Sequence, residues 1–171
     1  MEFSKVLEER RSVRKYNDLS LSKETIKTIL EYAILAPSAH NRQPWYFVVV
    51  QNQDKKKEIG DILEEKMGPQ GKKTSDVIRD AQALVLVFID IEDEVMDLVS
   101  VGASIENMVL KARDLDVASL WIGYILNIRE EVKRIVKVNK KLVSAVALGY
   151  TDAFPSKRPR KELEEVSLFI D

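Results

Sequence analysis

The sequence contains no cysteine and one histidine, His40. The absence of thiols excludes disulfide bonds, thiolate metal sites, iron–sulfur clusters and cysteine nucleophiles. A single histidine cannot build a multi-histidine metal site, and the sequence contains no phosphate-binding glycine-rich loop. We therefore predict no metal centre.

The chain also lacks long apolar runs and a charge excess of one sign. Its longest apolar runs, such as "ALVLVFI", are far too short to cross a bilayer. No basic and then apolar leader opens the sequence. Lys and Arg number 27 against 28 Asp and Glu, a net charge of -1, which counts against binding of nucleic acid. We expect a cytoplasmic protein that binds neither a membrane nor nucleic acid.

Helical and strand-like segments alternate along the chain. At 171 residues we expect one domain, residues 1–171. Ser22 is placed to cap a helix that Pro37 ends, and residues 93–115 form a long apolar helix. Strand patterns occur in "WYFVVVQ", "ALVLVFID", "VASLWIG" and "KLVSAVALGY", with helical patterns in "DKKKEIGDILEEKM" and "REEVKRIVKV". Long helices interleaved with four or five strands indicate a layered α/β or α+β domain.

Two segments lack a clear place in that order. The polar, glycine-containing "GPQGKKTSD" reads as a mobile loop. Residues 151–171 read as an extended basic arm, and their β-like run "VSLFI" has no partner strand nearby in the sequence. We expect this arm to pack on a second subunit, because an unpaired strand needs a partner edge.

Basic residues concentrate near both ends of the chain. The first cluster contains Arg10, Arg11, Arg14 and Lys15, and the second contains Lys157, Arg158, Arg160 and Lys161. Arginine offers a rigid fork of donors that suits phosphate, and Ser12 adds a hydroxyl within the first cluster. The alternative is ordinary solvated surface charge, and the spacing alone does not show whether the clusters converge.

Two further motifs could line a ligand site. In the loop "PSAHNRQPW", Ser38, Asn41 and Gln43 offer hydrogen-bond donors and acceptors between two prolines. Such a loop could form a rigid rim for a planar polar heterocycle. In "WIG", Gly123 would let a ligand approach the backbone closely. The structural alternatives are a helix exit with a turn for the loop and a strand-end turn for the tripeptide.

Taken together and in this order, the motifs resemble the nitroreductase family of flavin enzymes. They are "RRSVRKY", "APSAHNRQPW", "SIENMVLKARDLDVASLWIG" and "KRPRKELEEV", and the resemblance covers nearly the whole chain. It implies an α+β fold in three layers, with a central mixed or antiparallel sheet flanked by helices. It also implies FMN as the cofactor.

The resemblance assigns roles to particular residues. In relatives, the arginine and serine at the positions of Arg10 and Ser12 serve the FMN phosphate, and the position of Arg14 reaches the pyrimidine edge and tunes the flavin. The proline–serine loop comes from the partner subunit, and the "WIG" backbone lines the ring. The implied cofactor-binding residues are Arg10, Arg11, Ser12, Arg14, Pro37, Ser38, Ala39, Asn41, Ile122, Gly123, Arg158 and Arg160.

The activity implied is a ping-pong oxidoreduction. NAD(P)H delivers hydride to flavin N5, and an electron-poor acceptor such as a nitroaromatic or quinone then takes the electrons, with no side chain needed as general acid. The chain is expected to form a homodimer with FMN sites at the interface. Three alternatives stay open: a flavin-binding carrier or sensor with little turnover, a family member that performs reductive dehalogenation, and a small nucleic-acid-binding module that uses the two basic clusters. The near-neutral charge and the sparse aromatic residues count against the last. The segment "MGPQGKKTSD" would form at most a small lid.

Overall fold

The computed structural model describes residues 2–90 and 93–170. Within these ranges the chain forms six α-helices and four β-strands. The helices are α1 (Phe3–Glu9), α2 (Lys23–Ala33), α3 (Gln53–Met67), α4 (Pro69–Asp80), α5 (Glu94–Asp114) and α6 (Arg129–Val136). The strands are β1 (Trp45–Val50), β2 (Ala83–Ile89), β3 (Ala118–Ile122) and β4 (Lys141–Gly149).

The four strands form one antiparallel sheet in the order β1-β2-β4-β3. Every residue of β2 is buried, as its uninterrupted apolar run predicts for a central strand. Successive side chains alternate between two cores: Leu84 and Leu86 pack with α3 and α4, whereas Val85 and Val87 pack with α2 and α5. The result is a helix–sheet–helix arrangement in three layers, which confirms the α+β fold.

Helix capping follows the sequence at the two helices that matter for the site. The Ser22 hydroxyl accepts a hydrogen bond from the Thr25 amide at 3.0 Å, so α2 begins where the cap predicts. At α5, the Asp93 carboxylate accepts from the Met96 amide at 3.1 Å. Together α2 and α5 cover one face of the sheet.

The prediction of a mobile loop at "GPQGKKTSD" is wrong. These residues begin α4, with Pro69 in the first turn, where its missing amide costs no helical hydrogen bond. Val77 and Ile78 are buried in the core beside α3. A Cβ on Gly71 would lie 2.6 Å from the Met67 side chain, so glycine permits the close contact between the two helices. This segment packs beneath the sheet and forms no lid.

The C-terminal arm lies on the surface of its own chain. Among described residues 151–170, the regular structure is limited to a 3₁₀ turn at Leu163–Glu165, and the run "VSLFI" forms no strand. Leu168, Phe169 and Ile170 are 84%, 80% and 88% exposed. Pairing of this run with a second subunit stays a prediction.

Candidate functional site

Three residues of each basic cluster line the same cavity, whereas Lys15 and Lys161 do not. Its volume is about 590 Å³, and its walls come from the end of α1, the segment that follows it and the C-terminal arm. The lining residues are Leu7, Glu8, Arg10, Arg11, Ser12, Arg14, Pro155, Ser156, Lys157, Arg158 and Arg160. The fold therefore brings together two segments that are almost the whole chain apart.

A short backbone pairing fixes the first cluster on the edge of the sheet. Ser12 forms an isolated parallel bridge with Ser119 of β3, and the Val13 amide donates to the Ser119 carbonyl at 2.9 Å. Val13 itself is buried and anchors the segment. Because the bridge is parallel, Arg14 lies toward the "WIG" end of the strand and Arg10 toward its beginning.

Helix α5 holds both walls of the cavity through Arg113. Its Nη2 donates to the Glu9 carboxylate at 2.7 Å, immediately before Arg10 in the chain. This hydrogen bond lowers the pKa of Glu9 below its usual value. The Arg113 guanidinium also lies 4.6 Å from the ring centroid of Phe154, at the start of the C-terminal arm. No local pattern in the sequence indicates the role of Arg113, because that role depends on contacts between distant segments.

The cavity carries an excess of positive charge. Six of its lining residues are cationic, and Glu8 supplies a single carboxylate. Arg10 lies 3.8 Å from Glu106, but Arg14 donates to the Ser12 carbonyl at 3.1 Å. Arg160 makes two long bonds, of 3.4 and 3.3 Å, to carbonyls of its own segment. Across the described residues neither Arg14 nor Arg160 pairs with a carboxylate, so both guanidinium groups can bind an anion such as phosphate.

Five lining residues were missed among the predicted ligands: Leu7, Glu8, Pro155, Ser156 and Lys157. Each lies within a few residues of a predicted arginine, so closeness to that arginine in the sequence could have indicated that it lines the site. Leu7 is 48% exposed and gives the cavity an apolar wall. The site is thus less uniformly basic than the sequence motifs suggest.

The proline–serine loop lies elsewhere on the chain. None of Pro37, Ser38, Ala39 and Asn41 lines the basic cavity. Residues Ala39–Asn41 form a 3₁₀ turn, and the Ser38 hydroxyl accepts from the Gln43 amide at 3.0 Å. The loop packs on the first half of α5, where the Ala39 amide donates to the Ser100 hydroxyl at 3.3 Å. Within a single chain, the loop therefore lies outside the basic cavity.

The "WIG" segment ends β3 on the side toward which Arg14 lies. The Ile122 side chain is buried in the core, so only its backbone is available to a ligand. Gly123 has φ −84°, which any residue can adopt, and a Cβ there would meet no atom within 4 Å. Neither backbone strain nor packing within the chain requires glycine here. A ligand lying against the backbone would require it, because a side chain would occupy the same space.

Two further features of the described residues bear on other functions. The described parts of the chain contain no group of three or more His, Cys, Asp or Glu residues placed to bind a metal ion. Along the same residues, no helix combines the length and apolar character needed to span a bilayer.

The chain is thus a three-layer α+β protein with a basic cavity at the edge of its sheet, and the charge of that cavity suits an anionic ligand. The chain belongs to the nitroreductase family, whose model matches residues 7–150. An Archaeoglobus fulgidus protein described as an NADH dehydrogenase/NAD(P)H nitroreductase is 32% identical over 156 residues, which cover 85% of this chain and 83% of that protein.

A solved structure and a partial relative extend the comparison. A Desulfovibrio desulfuricans nitroreductase in complex with FMN aligns with a TM-score of 0.84 and 29% identity, covering 100% of this chain and 98% of that one. An iodotyrosine deiodinase of Nematostella vectensis is 38% identical over 64 residues, which cover 37% of this chain and 24% of that protein.

Proposed function

We propose that this chain is an FMN-dependent oxidoreductase that uses NAD(P)H to reduce nitroaromatic, quinone or similar electron-poor acceptors. The observation that carries the proposal is the convergence of both arginine clusters on one cavity at the edge of β3. When bound, FMN supplies the hydride and electron transfer between NAD(P)H and the acceptor, in a ping-pong cycle. We also propose that the protein acts in the cytoplasm.

The residues of the cavity suit the phosphate of FMN. Arg10, Arg11, Ser12, Arg158 and Arg160 would hold it, because their donors line a cavity with little carboxylate to compensate their charge. Arg14 would face the pyrimidine edge of the ring, since the parallel bridge directs it toward the far end of β3. There its charge would stabilise the negative charge that the ring gains on reduction.

We infer that the complete site is built by a homodimer. Pro37, Ser38, Ala39 and Asn41 lie outside the cavity of their own chain, so in this proposal they reach the FMN bound by the partner. The backbone of Ile122 and Gly123 would line the ring from the chain that holds the phosphate. The apolar end of the arm also favours a partner, because Leu168, Phe169 and Ile170 are exposed on a single chain.

The first experiment is to purify the protein and record its flavin absorbance. NADH or NADPH should bleach the bound FMN, and a nitroaromatic or quinone should restore its colour. Bound flavin with slow reduction would instead favour the carrier or sensor. Restoration by an iodinated phenol but by no nitroaromatic would favour dehalogenation, the alternative to which the partial match with a deiodinase points. Absence of FMN binding would refute the proposal.

A mixing experiment tests the shared site. Arg160→Ala damages the phosphate side, and Ser38→Trp blocks the loop side. If each FMN site combines the arginines of one subunit with the loop of the other, a heterodimer of the two variants keeps one undamaged site. Random pairing of equal amounts should then restore about a quarter of the tight sites. No restoration after subunit exchange would show that both groups act within one chain.

A further inference from the structure

Arg42 and Asp97 form an ion pair beneath the loop of residues 37–43. The Nε and Nη2 atoms of Arg42 both donate to Asp97 Oδ1, at 3.0 and 2.9 Å. The Asp97 side chain is 1% exposed and that of Arg42 is 18% exposed. Because paired charges taken out of water are stable only in a well-defined geometry, this contact fixes the end of the loop against α5.

The same face of α5 holds the beginning of the loop. One turn after Asp97, the Ser100 hydroxyl donates to the Met96 carbonyl at 2.7 Å and accepts from the Ala39 amide. The second oxygen of Asp97 accepts from the Asp93 amide at 2.9 Å, so the carboxylate is itself held by the start of the helix. The loop is therefore attached at both ends to one rigid element.

The loop needs such attachment because its backbone is strained. His40, Asn41 and Gln43 have φ values of 52°, 54° and 49°, in the left-handed region that residues other than glycine enter only at a cost in free energy. Conformations of this kind persist where the surrounding structure over-determines them, and they cluster at functional sites. Arg42 lies within the strained run, between Asn41 and Gln43.

We propose that Arg42 and Asp97 are positioning residues, which hold loop 37–43 in the shape required by FMN bound to the partner subunit without contacting that FMN. This inference rests on the proposed function, because it takes the loop to be part of the flavin site. It assigns to a buried ion pair a role in cofactor affinity as well as in stability.

The test is Arg42→Lys in the full-length protein. Lysine keeps a positive charge beside Asp97, so the carboxylate stays neutralised. It loses the contact made by two nitrogens, so the loop is held less firmly. The Kd for FMN should rise about tenfold, the equivalent of roughly one hydrogen bond. The visible circular dichroism of the bound flavin should change with it, since that signal reports how the ring is held.

Arg79→Lys is the matched control. Arg79 is 21% exposed and pairs with Asp61 and Glu64, on the far side of the sheet from the loop. It should lower Tm as Arg42→Lys does, and it should leave the Kd for FMN unchanged. If Arg42→Lys binds FMN with the wild-type Kd, the ion pair has a purely structural role and the inference is overturned.

Should Arg42→Lys fold poorly, Asp97→Asn provides a second variant, because asparagine keeps the volume of the side chain and an oxygen acceptor. The double variant should bind FMN no more weakly than the weaker single variant, as expected for two residues acting as one unit. Additive losses would overturn the inference. A wild-type protein that binds no FMN refutes the proposed function itself, a result distinct from wild-type affinity in the variants.

Discussion

Arg160→Ala tests the assignment of the C-terminal arm to the phosphate of FMN. The Arg160 guanidinium lies in the C-terminal arm, and its intramolecular bonds are two long contacts, of 3.4 and 3.3 Å, to nearby carbonyls. Removing it therefore costs the unliganded fold little. A hydrogen bond to a charged group contributes roughly 1.5–3 kcal/mol, so the Kd for FMN should rise about ten- to a hundredfold.

Quenching of FMN fluorescence on binding provides the assay. The control is Arg129→Ala, because Arg129 is also exposed and donates to a backbone carbonyl, that of Leu126, at 3.3 Å. Saturating FMN should restore most of the turnover of Arg160→Ala, since the side chain binds the cofactor and takes no part in hydride transfer. Wild-type affinity in this variant would show that the arm does not hold the phosphate.

Three further predictions follow from the same structure. Arg14→Gln should lower the reduction potential of bound flavin by roughly 30–60 mV, at about 30 mV per 1.4 kcal/mol, with FMN still bound; an unchanged potential in a dye titration would place Arg14 away from the ring. Burial lowers the pKa of Lys56 in the folded chain below its ordinary value of 10.5. At pH values between the folded-state pKa and 10.5, the unfolded chain therefore binds more protons than the folded chain. The stability of the wild type relative to Lys56→Met should thus rise with pH in urea unfolding across that window, and a constant difference would contradict the shift. A chain ending at Glu162 loses the exposed apolar end of the arm and should sediment as a weaker dimer; unchanged association would exclude this segment from the interface.

Local sequence signals predicted most of the fold because they act over a few residues. The Ser22 hydroxyl caps α2, and the apolar run of β2 is buried throughout. The first signal is a hydrogen bond between residues three positions apart, and the second is a continuous run of apolar residues, so both can be read from a short stretch of sequence. The motif order then identified the family, which the family model and the relatives confirm.

The segment that became α4 shows where local signals fail. Its glycines and lysines indicated a loop, but Pro69 suits the first turn of a helix and Val77 and Ile78 anchor its far end in the core. Gly71 is present because α3 passes too close for a Cβ, and not because the backbone must bend. Tertiary packing therefore overrode a composition typical of loops.

The convergence of the basic clusters could not be predicted either, because α5 creates it from outside both motifs. Near its end, Arg113 holds Glu9 and Phe154, and with them both walls of the cavity. Near its start, Asp97 and Ser100 hold the strained loop. The sixteen helical steps from Asp97 to Arg113 span about 24 Å at 1.5 Å per residue, which separates the loop from the cavity of the same chain. In a dimer with twofold symmetry, the same helix would contribute to two sites. Its first half would support the loop at the partner's flavin, and its last turn would support the cavity of its own chain. In that arrangement, the ion pair at Asp97 would affect the affinity of the partner's site for its cofactor without contacting a ligand itself.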